Sequence, residues 1–319
     1  MLVGFNTNDD AGVYLVADDL ALVQTVDFFT PIVDDPFTFG QIAAANSLSD
    51  VYAMGGRPTS ALSIVGFPEK GDTAILEQIV RGGLDKMTEA QCSVIGGHSI
   101  RNDDIQFGYA VTGIVNPKRI WRNVGAQPND VLLLTKALGT GVISTALKKQ
   151  CATQESLDAA VASMSQLNRA AANALHEVEN KLDGNAIHAV TDVTGFGLLG
   201  HAREMALGDP AQGIPAVSFE LNHAVFPLLP GAIDAARQGM IPGGLKNNRE
   251  FIGDCVAFTP GVSEENRAVL FDPQTSGGLL IAIAPEMEKL ALEFLGAQQV
   301  KAVRVGRVVN KTSPLLIVI

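Results

Sequence analysis

The segment Asn46-Ser-Leu-Ser-Asp-Val-Tyr-Ala-Met-Gly-Gly56 belongs to a predicted helix that combines small residues with a carboxylate. The helix follows Asp35-Pro36, an N-cap aspartate with proline at the first helical position, and its pattern stops at the two glycines. Its alanines and serines predict that another element packs closely against it. Asn46 and Asp50 are four residues apart and share a face. A carboxylate in such a helix is costly to bury unless it is paired or bound to a metal ion.

Strands and helices alternate on both sides of this segment. The residues before it predict two short strands at 13–16 and 20–26, and those after it predict strands at 61–67, 92–95 and 107–115 around a helix at 72–90. A loop-like segment at 116–129 then precedes single strands and longer helices, including one predicted at 154–182. With 319 residues and about 150 residues per domain, we expect two domains, 1–116 and 117–319. The fold class is α/β plus α+β.

The charge distribution excludes some functions. Lys and Arg number 23 against 34 Asp and Glu, a net charge of −11, which disfavours a nucleic-acid-binding surface. Residues 1–56 contain eight Asp and no Glu, Lys, Arg or His; the first basic residue is Arg57. Eight carboxylates without a local counter-charge need solvent, a distant cation or a metal ion.

The expected cellular compartment is inferred from sequence patterns that are missing. The three cysteines, Cys92, Cys151 and Cys255, form no CxxC pattern, which is typical of a reducing cytosol. The first residues do not resemble a signal peptide, and no apolar stretch is long enough for a membrane span. We therefore expect a cytoplasmic protein that binds neither membrane nor nucleic acid.

Carboxylates at the ends of predicted strands are candidate metal ligands. Asp9 and Asp10 precede a strand, Asp27 ends the next, and Asp192 ends a strand that feeds a helix. Together with Asp50 they suit Mg²⁺, which takes few protein carboxylates and completes its shell with phosphate oxygens and water. Turn and cap aspartates remain the alternative. We assign that ordinary role to the four other early aspartates, Asp18, Asp19, Asp34 and Asp35.

Three glycine-containing turns are candidate anion sites. Ile95-Gly-Gly-His-Ser-Ile100 follows a strand and could form a phosphate nest, although a glycine turn closing the strand explains it better. Thr191–His201 predicts a strand, a turn and a helix N-terminus, which attracts anions or is simply a tight turn. Phe271–Leu280 is equally open to either interpretation. The sequence contains neither GxxxxGK[ST] nor HExxH, so it predicts no P-loop and no zinc site.

Taken together, six segments resemble the selenophosphate synthetase (selenide, water dikinase) family. They are Asp9-Asp-Ala-Gly-Val-Tyr14, Asp27-Phe-Phe-Thr-Pro-Ile-Val-Asp34, Asn46–Gly56, Gly96-Gly-His-Ser-Ile100, Asp192-Val-Thr-Gly-Phe-Gly-Leu-Leu-Gly-His201 and Asp272-Pro-Gln-Thr-Ser-Gly-Gly278. They occur in family order and span essentially the whole chain. The first and third are shared with the wider aminoimidazole ribonucleotide synthetase superfamily, whereas the last three are more specific.

The resemblance implies an N-terminal domain that forms a mixed β-barrel with its dimer mate, a C-terminal α+β domain, and ATP between them. It implies the conversion of ATP, selenide and water to selenophosphate, AMP and phosphate, in a homodimer that a selenium-delivery protein can supply. By motif match, the Mg²⁺ carboxylates are Asp10, Asp50 and Asp192. Nucleotide contacts fall on Thr7, Asn8, Asp9, Asp27 and Asp50, with Gly97, His98 and Ser99 offered to the neighbouring subunit's ATP.

One departure from the family affects the expected activity. The family carries a catalytic Cys or selenocysteine and a nearby Lys in a Gly-rich segment that would precede residue 1 here, and no cysteine of this chain takes that place. We therefore expect little complete turnover from this polypeptide. Two explanations for the missing segment are a deliberate truncation and a selenocysteine codon read as a stop. The alternatives are another synthetase of the superfamily, acting on an amidine, carbamoyl or thiamine phosphate substrate, and a non-catalytic nucleotide-binding paralogue.

Overall fold

The structure is a computed structural model that describes residues 1–4, 9–181 and 186–319. Its strands are β1 (Gly12–Ala17), β2 (Leu20–Phe29), β3 (Arg57–Phe67), β4 (Ser93–Arg101), β5 (Gln106–Val115), β6 (Val131–Leu134), β7 (Ile187–Asp192), β8 (Val217–Leu221), β9 (Val256–Phe258), β10 (Leu279–Ile283), β11 (Val303–Asn310) and β12 (Leu316–Val318). Its α-helices are α1 (Pro36–Ala53), α2 (Thr73–Glu89), α3 (Thr140–Lys148), α4 (Gln154–Ser165), α5 (Arg169–Asn180), α6 (Gly197–Leu207), α7 (Ala232–Arg237), α8 (Gly243–Ile252), α9 (Glu264–Phe271) and α10 (Glu288–Ala297).

The first sheet has the order β1-β2-β5-β3-β4, with β3 and β4 parallel and the other pairs antiparallel. Helices α1 and α2 cover one of its faces. Asp35 caps α1 as predicted, because its carboxylate accepts a hydrogen bond from the Thr38 N–H at 2.8 Å, with Pro36 in the first turn. Asp72 caps α2 in the same way, through the Ala74 N–H at 2.9 Å.

Glycines bring α1 and α2 into main-chain contact. A Cβ on Gly40 would lie 1.9 Å from the Ile79 carbonyl oxygen, and one on Gly82 would lie 1.9 Å from the Phe37 carbonyl oxygen. Only glycine permits this approach, and it confirms the prediction that another element packs closely against the first helix.

The opposite face of the first sheet is apolar and exposed. Its side chains come from four strands and include Tyr14, Val16, Val26, Phe28, Leu62 and Ile100. Strand pairing sets Phe28, Gly108, Ile64 and His98 in one row across β2, β5, β3 and β4. An exposed apolar patch of this extent is typical of a surface that another protein covers.

The second sheet has the order β7-β10-β6-β11-β8-β12-β9 and is antiparallel except around β12. Its central strands β6 and β10 are buried along their whole length. Helix α1 also packs against α4, α5 and β7 of this second half, so it connects the two halves of the molecule. The first sheet ends at Val115 and the second begins at Val131; the domain boundary at 116/117 stays a prediction.

Two local predictions were wrong. The helix expected at 154–182 is divided into α4 and α5, because the Asn168 amide between them donates to the Ser49 hydroxyl and the Gly277 carbonyl, both at 2.8 Å. Those two acceptors lie more than a hundred residues away in sequence, so helical periodicity gives no sign of the break. The Gly96-Gly97 pair does not close a strand either, since both glycines lie within β4.

Across the described residues, no helix combines the length and apolar character that crossing a lipid bilayer requires.

Candidate active site

All five predicted carboxylates that the structure describes converge on one cleft of about 820 Å³, which we call the acidic cleft. The first half of the chain supplies Asp9, Asp10, Asp27 and Asp50, and the second half supplies Asp192. The remaining lining comes from the second half and consists of Thr194, Gly195, Phe196, His201, Glu204, Gly244, Asn247, Asn248 and Phe251. The volume lies within the usual range for a small-molecule site.

Asp50 faces the cleft from the C-terminal half of α1. Thr25 of β2 donates a hydrogen bond to its carboxylate. Burial and then the neighbouring charge of Asp192 raise the pKa of Asp50 well above its ordinary value. Helix α1 therefore carries a carboxylate whose ionised form is disfavoured by its surroundings.

Asp10 lies opposite, just before β1. Its carboxylate accepts a hydrogen bond from the Thr191 hydroxyl at 2.9 Å. Burial, followed by the charges of Asp192 and Asp50, raises the pKa of Asp10 well above its ordinary value. The three carboxylates thus act on one another electrostatically, although they come from distant parts of the sequence.

Asp192 ends β7 and is 1% exposed. Burial raises its pKa to about 6, although the Ser49 hydroxyl and the charge of Lys136 act in the opposite direction. Lys136 is itself buried, which lowers its pKa to about 7, and its Nζ donates to the carbonyls of Gln166 and Ser276 at 2.6 and 2.8 Å. Neither Ser49 nor Lys136 was identified from the sequence.

Several carboxylate oxygens of the cleft are buried yet unpaired. Oδ2 of Asp9, of Asp10 and of Asp192 each has no hydrogen-bond partner among the described residues. Burying oxygens without a partner costs free energy. Clustered carboxylate oxygens of this kind are the ligands of hard divalent cations. The donor set therefore fits Mg²⁺.

The described carboxylates do not by themselves complete a metal site. Within residues 1–4, 9–181 and 186–319, no three His, Cys, Asp or Glu side chains converge closely enough to hold one ion. Mg²⁺ ordinarily binds through one or two carboxylates and takes its other ligands from water and substrate phosphates. The acidic cleft has the composition of such a shared site.

Asn46 connects the cleft to the glycine-rich loop before β10. Its amide nitrogen donates to the Asp27 carboxylate, and its amide oxygen accepts from the Ser276 N–H at 2.7 Å. Burial raises the pKa of Asp27, and the Asn46 hydrogen bond partly offsets that effect. The shared face of Asn46 and Asp50 was predicted, whereas the bond to Ser276 could not be.

Aromatic side chains form the far rim of the cleft. Phe196 and Phe251 stack with ring centres 5.7 Å apart, and the Arg203 guanidinium lies 4.8 Å from the centre of the Phe251 ring. Both rings are about half exposed and offer a flat apolar surface to a ligand. Below them, His201 is buried with its pKa lowered to about 4, and its Nε2 accepts from the Thr194 N–H at 3.1 Å.

The other predicted contacts lie elsewhere. Thr7 and Asn8 fall outside the described residues. Gly97, His98 and Ser99 do not line the acidic cleft; they lie on the exposed edge strand β4, with His98 in the apolar row of the open face. Their predicted contact with a neighbouring subunit's ATP stays a prediction.

Comparison with known proteins matches almost the whole chain. Residues 8–115 match the family described as AIR synthase related protein, N-terminal domain, and residues 127–319 match its C-terminal domain. A selenide, water dikinase from Pelobacter propionicus is 45% identical over 320 residues, covering 100% of this chain and 88% of the relative. One from Geobacter metallireducens is 46% identical over 310 residues, covering 97% and 86%.

Solved structures share the architecture at lower identity. AaThiL complexed with AMPPCP and TMP superposes with a TM-score of 0.69 at 18% identity, covering 97% of this chain and 87% of that chain. This likeness confirms the predicted two-domain fold.

Proposed function

Since the chain belongs to the selenide, water dikinase family of AIR synthase related proteins, we propose that it makes selenophosphate from selenide, water and ATP, releasing AMP and phosphate. The observation that carries the proposal is the set of buried, mutually repelling carboxylates Asp10, Asp50 and Asp192 in one cleft. A kinase needs such groups to hold the ions that neutralise transferring phosphates.

The charge balance explains why a nucleotide requires a metal ion here. The phosphates of ATP are anionic, so they and the cleft carboxylates repel each other strongly in a partly buried site. Mg²⁺ ions shared between the phosphates and one or two of the carboxylates Asp10, Asp50 and Asp192 would supply the charge that reverses this repulsion. Thr25, Ser49 and Thr191 keep those carboxylates oriented.

The remaining cleft residues support binding of the rest of the nucleotide. Asp27, fixed by Asn46, offers an acceptor for a hydroxyl, and Asp9 is held by the Asn123 N–H at 2.9 Å. The ring pair Phe196 and Phe251 suits a planar group at the rim. We assign Thr7 and Asn8 to nucleotide contacts from the family motif alone.

The open apolar face supports a homodimer. Val26, Phe28, Leu62 and Ile100 are each 45% exposed or more, and a second copy packing its own face there would bury them and close the two sheets into a barrel. We assign Gly97, His98 and Ser99 to the neighbouring subunit's nucleotide from the family motif alone. We place this dimer in the cytoplasm, supplied with reduced selenium by a delivery protein.

Calorimetry with the non-hydrolysable nucleotide AMPPCP tests the site. We expect the chain to bind AMPPCP in the presence of Mg²⁺ and not in EDTA. Nucleotide binding that is equally tight without Mg²⁺ would contradict the role of the carboxylates.

The products distinguish this reaction from the alternatives. A dikinase of this type leaves AMP and requires selenide, and phosphorus NMR detects selenophosphate directly. ADP as the final nucleotide, formed with thiamine monophosphate and independent of selenide, would favour another synthetase of the superfamily.

A further inference from the structure

A second pocket, of about 160 Å³, lies where the C-terminal end of α1 and the start of β3 meet α5; we call it the arginine pocket. Its polar lining comes from Tyr52, Arg57, Gln91, Arg169, Asn173 and His176. Among the described residues that line it there is no Asp or Glu. In a chain of net charge −11, two arginines around one small cavity without a carboxylate are unexpected.

Neither arginine is neutralised by a described carboxylate. Arg57 forms no ion pair with any residue that the structure describes. Arg169 donates only to neutral oxygens, the Glu89 main-chain carbonyl and the Gln91 side chain. The Glu89 carboxylate is engaged elsewhere, by Lys86 at 2.7 Å. Arg169 is therefore held at the pocket by neutral partners, and Arg57 lines the pocket without an ion pair to a described residue, beside a second cavity that it shares with Asp19.

Tyr52 adds a hydrogen-bond donor. The residue is 3% exposed, and its hydroxyl is buried without a hydrogen-bond partner among the described residues. A buried hydroxyl without a partner is energetically unfavourable, because it has lost its hydrogen bonds to water. Arg169 is the charged group that acts most strongly on this hydroxyl, so the donor and the guanidinium lie close together.

Two side chains on the far side of the pocket, His176 and Gln91, are positioned by contacts with their neighbours. His176 stacks on Trp121 with ring centres 4.5 Å apart, and the carboxylate nearest to His176, that of Glu179, lies 4.0 Å from its Nδ1. Gln91 reaches Arg169 from a left-handed backbone conformation (φ 57°), which a residue with a side chain adopts at a cost. Glycine would satisfy the backbone at this helix end, but it would not hold Arg169.

We propose that the arginine pocket binds a small tetrahedral oxyanion of the phosphate class, at a site separate from the acidic cleft. Two guanidiniums supply charge and paired donors, the Tyr52 hydroxyl gains its missing acceptor, and the Asn173 amide adds a further donor. The small volume favours an inorganic anion or a terminal phosphate group and excludes a nucleoside from the pocket itself.

Phosphorus NMR and calorimetry with inorganic phosphate, on the full chain in EDTA, test the proposal without involving metal ions in the acidic cleft. We expect saturable binding that Arg57→Gln and Arg169→Gln each weaken about tenfold, and Tyr52→Phe about threefold. Arg57 is exposed and unpaired, so its variant should fold normally. Arg81→Gln is the matched control, since Arg81 is an exposed arginine of α2 with the same charge.

Competing anions and a cleft variant locate the site. Sulfate should displace phosphate, whereas acetate should compete poorly, and Asp192→Asn should leave phosphate binding unchanged. Absence of saturable binding in the millimolar range, equal loss in Arg57→Gln and Arg81→Gln, or equal competition by acetate would each overturn the proposal.

Discussion

The acidic cleft and the arginine pocket are built on the same helix with opposite charge. Asp50 and Tyr52 of α1 are two residues apart, so they point to nearly opposite sides of the helix. In the cleft, Asp9, Asp10 and Asp192 each keep a buried Oδ2 atom without a described hydrogen-bond partner, whereas two arginines and no carboxylate are among the described residues that line the pocket. Each site keeps an uncompensated charge, which indicates that each is completed by a ligand of the opposite sign.

The difference also shows how a folded chain keeps opposite charges from neutralising each other. Arg57, the first basic residue of the sequence, lines the arginine pocket and not the acidic cleft. Neutral groups hold the charged ones in both places, Thr25 and Thr191 in the cleft and Gln91 in the pocket. Four experiments test the contrast between the two sites.

The largest effect is expected from Asp192→Asn. Hydrogen-bond partners of metal ligands are already worth roughly 10- to 100-fold in metal affinity, so loss of a ligand should weaken Mg²⁺-dependent AMPPCP binding by about 100-fold or more. Calorimetry measures it, with Asp34→Asn as the control because Asp34 is an exposed turn residue. Unchanged nucleotide affinity in Asp192→Asn would remove Asp192 from the metal site.

Gly40→Ala should damage both sites at once. The new methyl group would meet the Ile79 carbonyl, and overpacking of this kind costs about 1–3 kcal/mol or more. Denaturant unfolding should show this loss, and both AMPPCP and phosphate binding should weaken because α1 carries groups of both sites. Gly296→Ala in α10, where no atom lies within 4 Å of the added Cβ, should be neutral or slightly stabilising. Loss of only one binding activity in Gly40→Ala would show that the sites do not depend on a common helix position.

The pH dependence of stability should report on the buried Asp192 of the acidic cleft. The folded-state pKa of Asp192 is about 6 against an ordinary 3.8, so the folded state binds this proton more tightly than the unfolded state. The resulting stabilisation is complete below about pH 4 and is lost as the pH rises through about 6. In EDTA we expect the free energy of unfolding to fall across this window by about 1–3 kcal/mol more in wild type than in Asp192→Asn. The raised pKa values of Glu204 and Asp272, about 7 each, contribute to both proteins. Stability that instead rises through this window in wild type and not in the variant would contradict the assignment.

The smallest effect is expected from Gln91→Gly. Relief of the left-handed conformation should stabilise the chain by about 0.5–1 kcal/mol, while the loss of the Arg169 contact should weaken phosphate binding a few-fold. Gln150 has the same conformation (φ 55°) just after α3, so Gln150→Gly should give the stability gain alone. Identical phosphate affinity in the two variants would show that Gln91 does not support the pocket.

Local chemistry made much of the cleft predictable from the sequence. The Asp35-Pro36 cap, the small residues of α1 and the carboxylates at strand ends are each recognisable within a few residues, whereas the grouping of Asp10, Asp50 and Asp192 as metal ligands came from the resemblance to the family. The arginine pocket could not be predicted, because Arg57 and Arg169 are far apart and each alone is an ordinary surface residue. The break at Asn168 and the burial of Lys136 also depend on partners that only the folded chain brings near.

The main-chain contact between α1 and α2 also bears on how such a protein can diverge. A side chain at Gly40 or Gly82 would require the facing backbone to move, so these two glycines constrain where α1 can lie. The position of the helix that carries Asp50 is in this sense strongly constrained. Phe196 and Phe251 at the rim are about half exposed, so we expect a new substrate preference to arise there before it arises at the metal ligands.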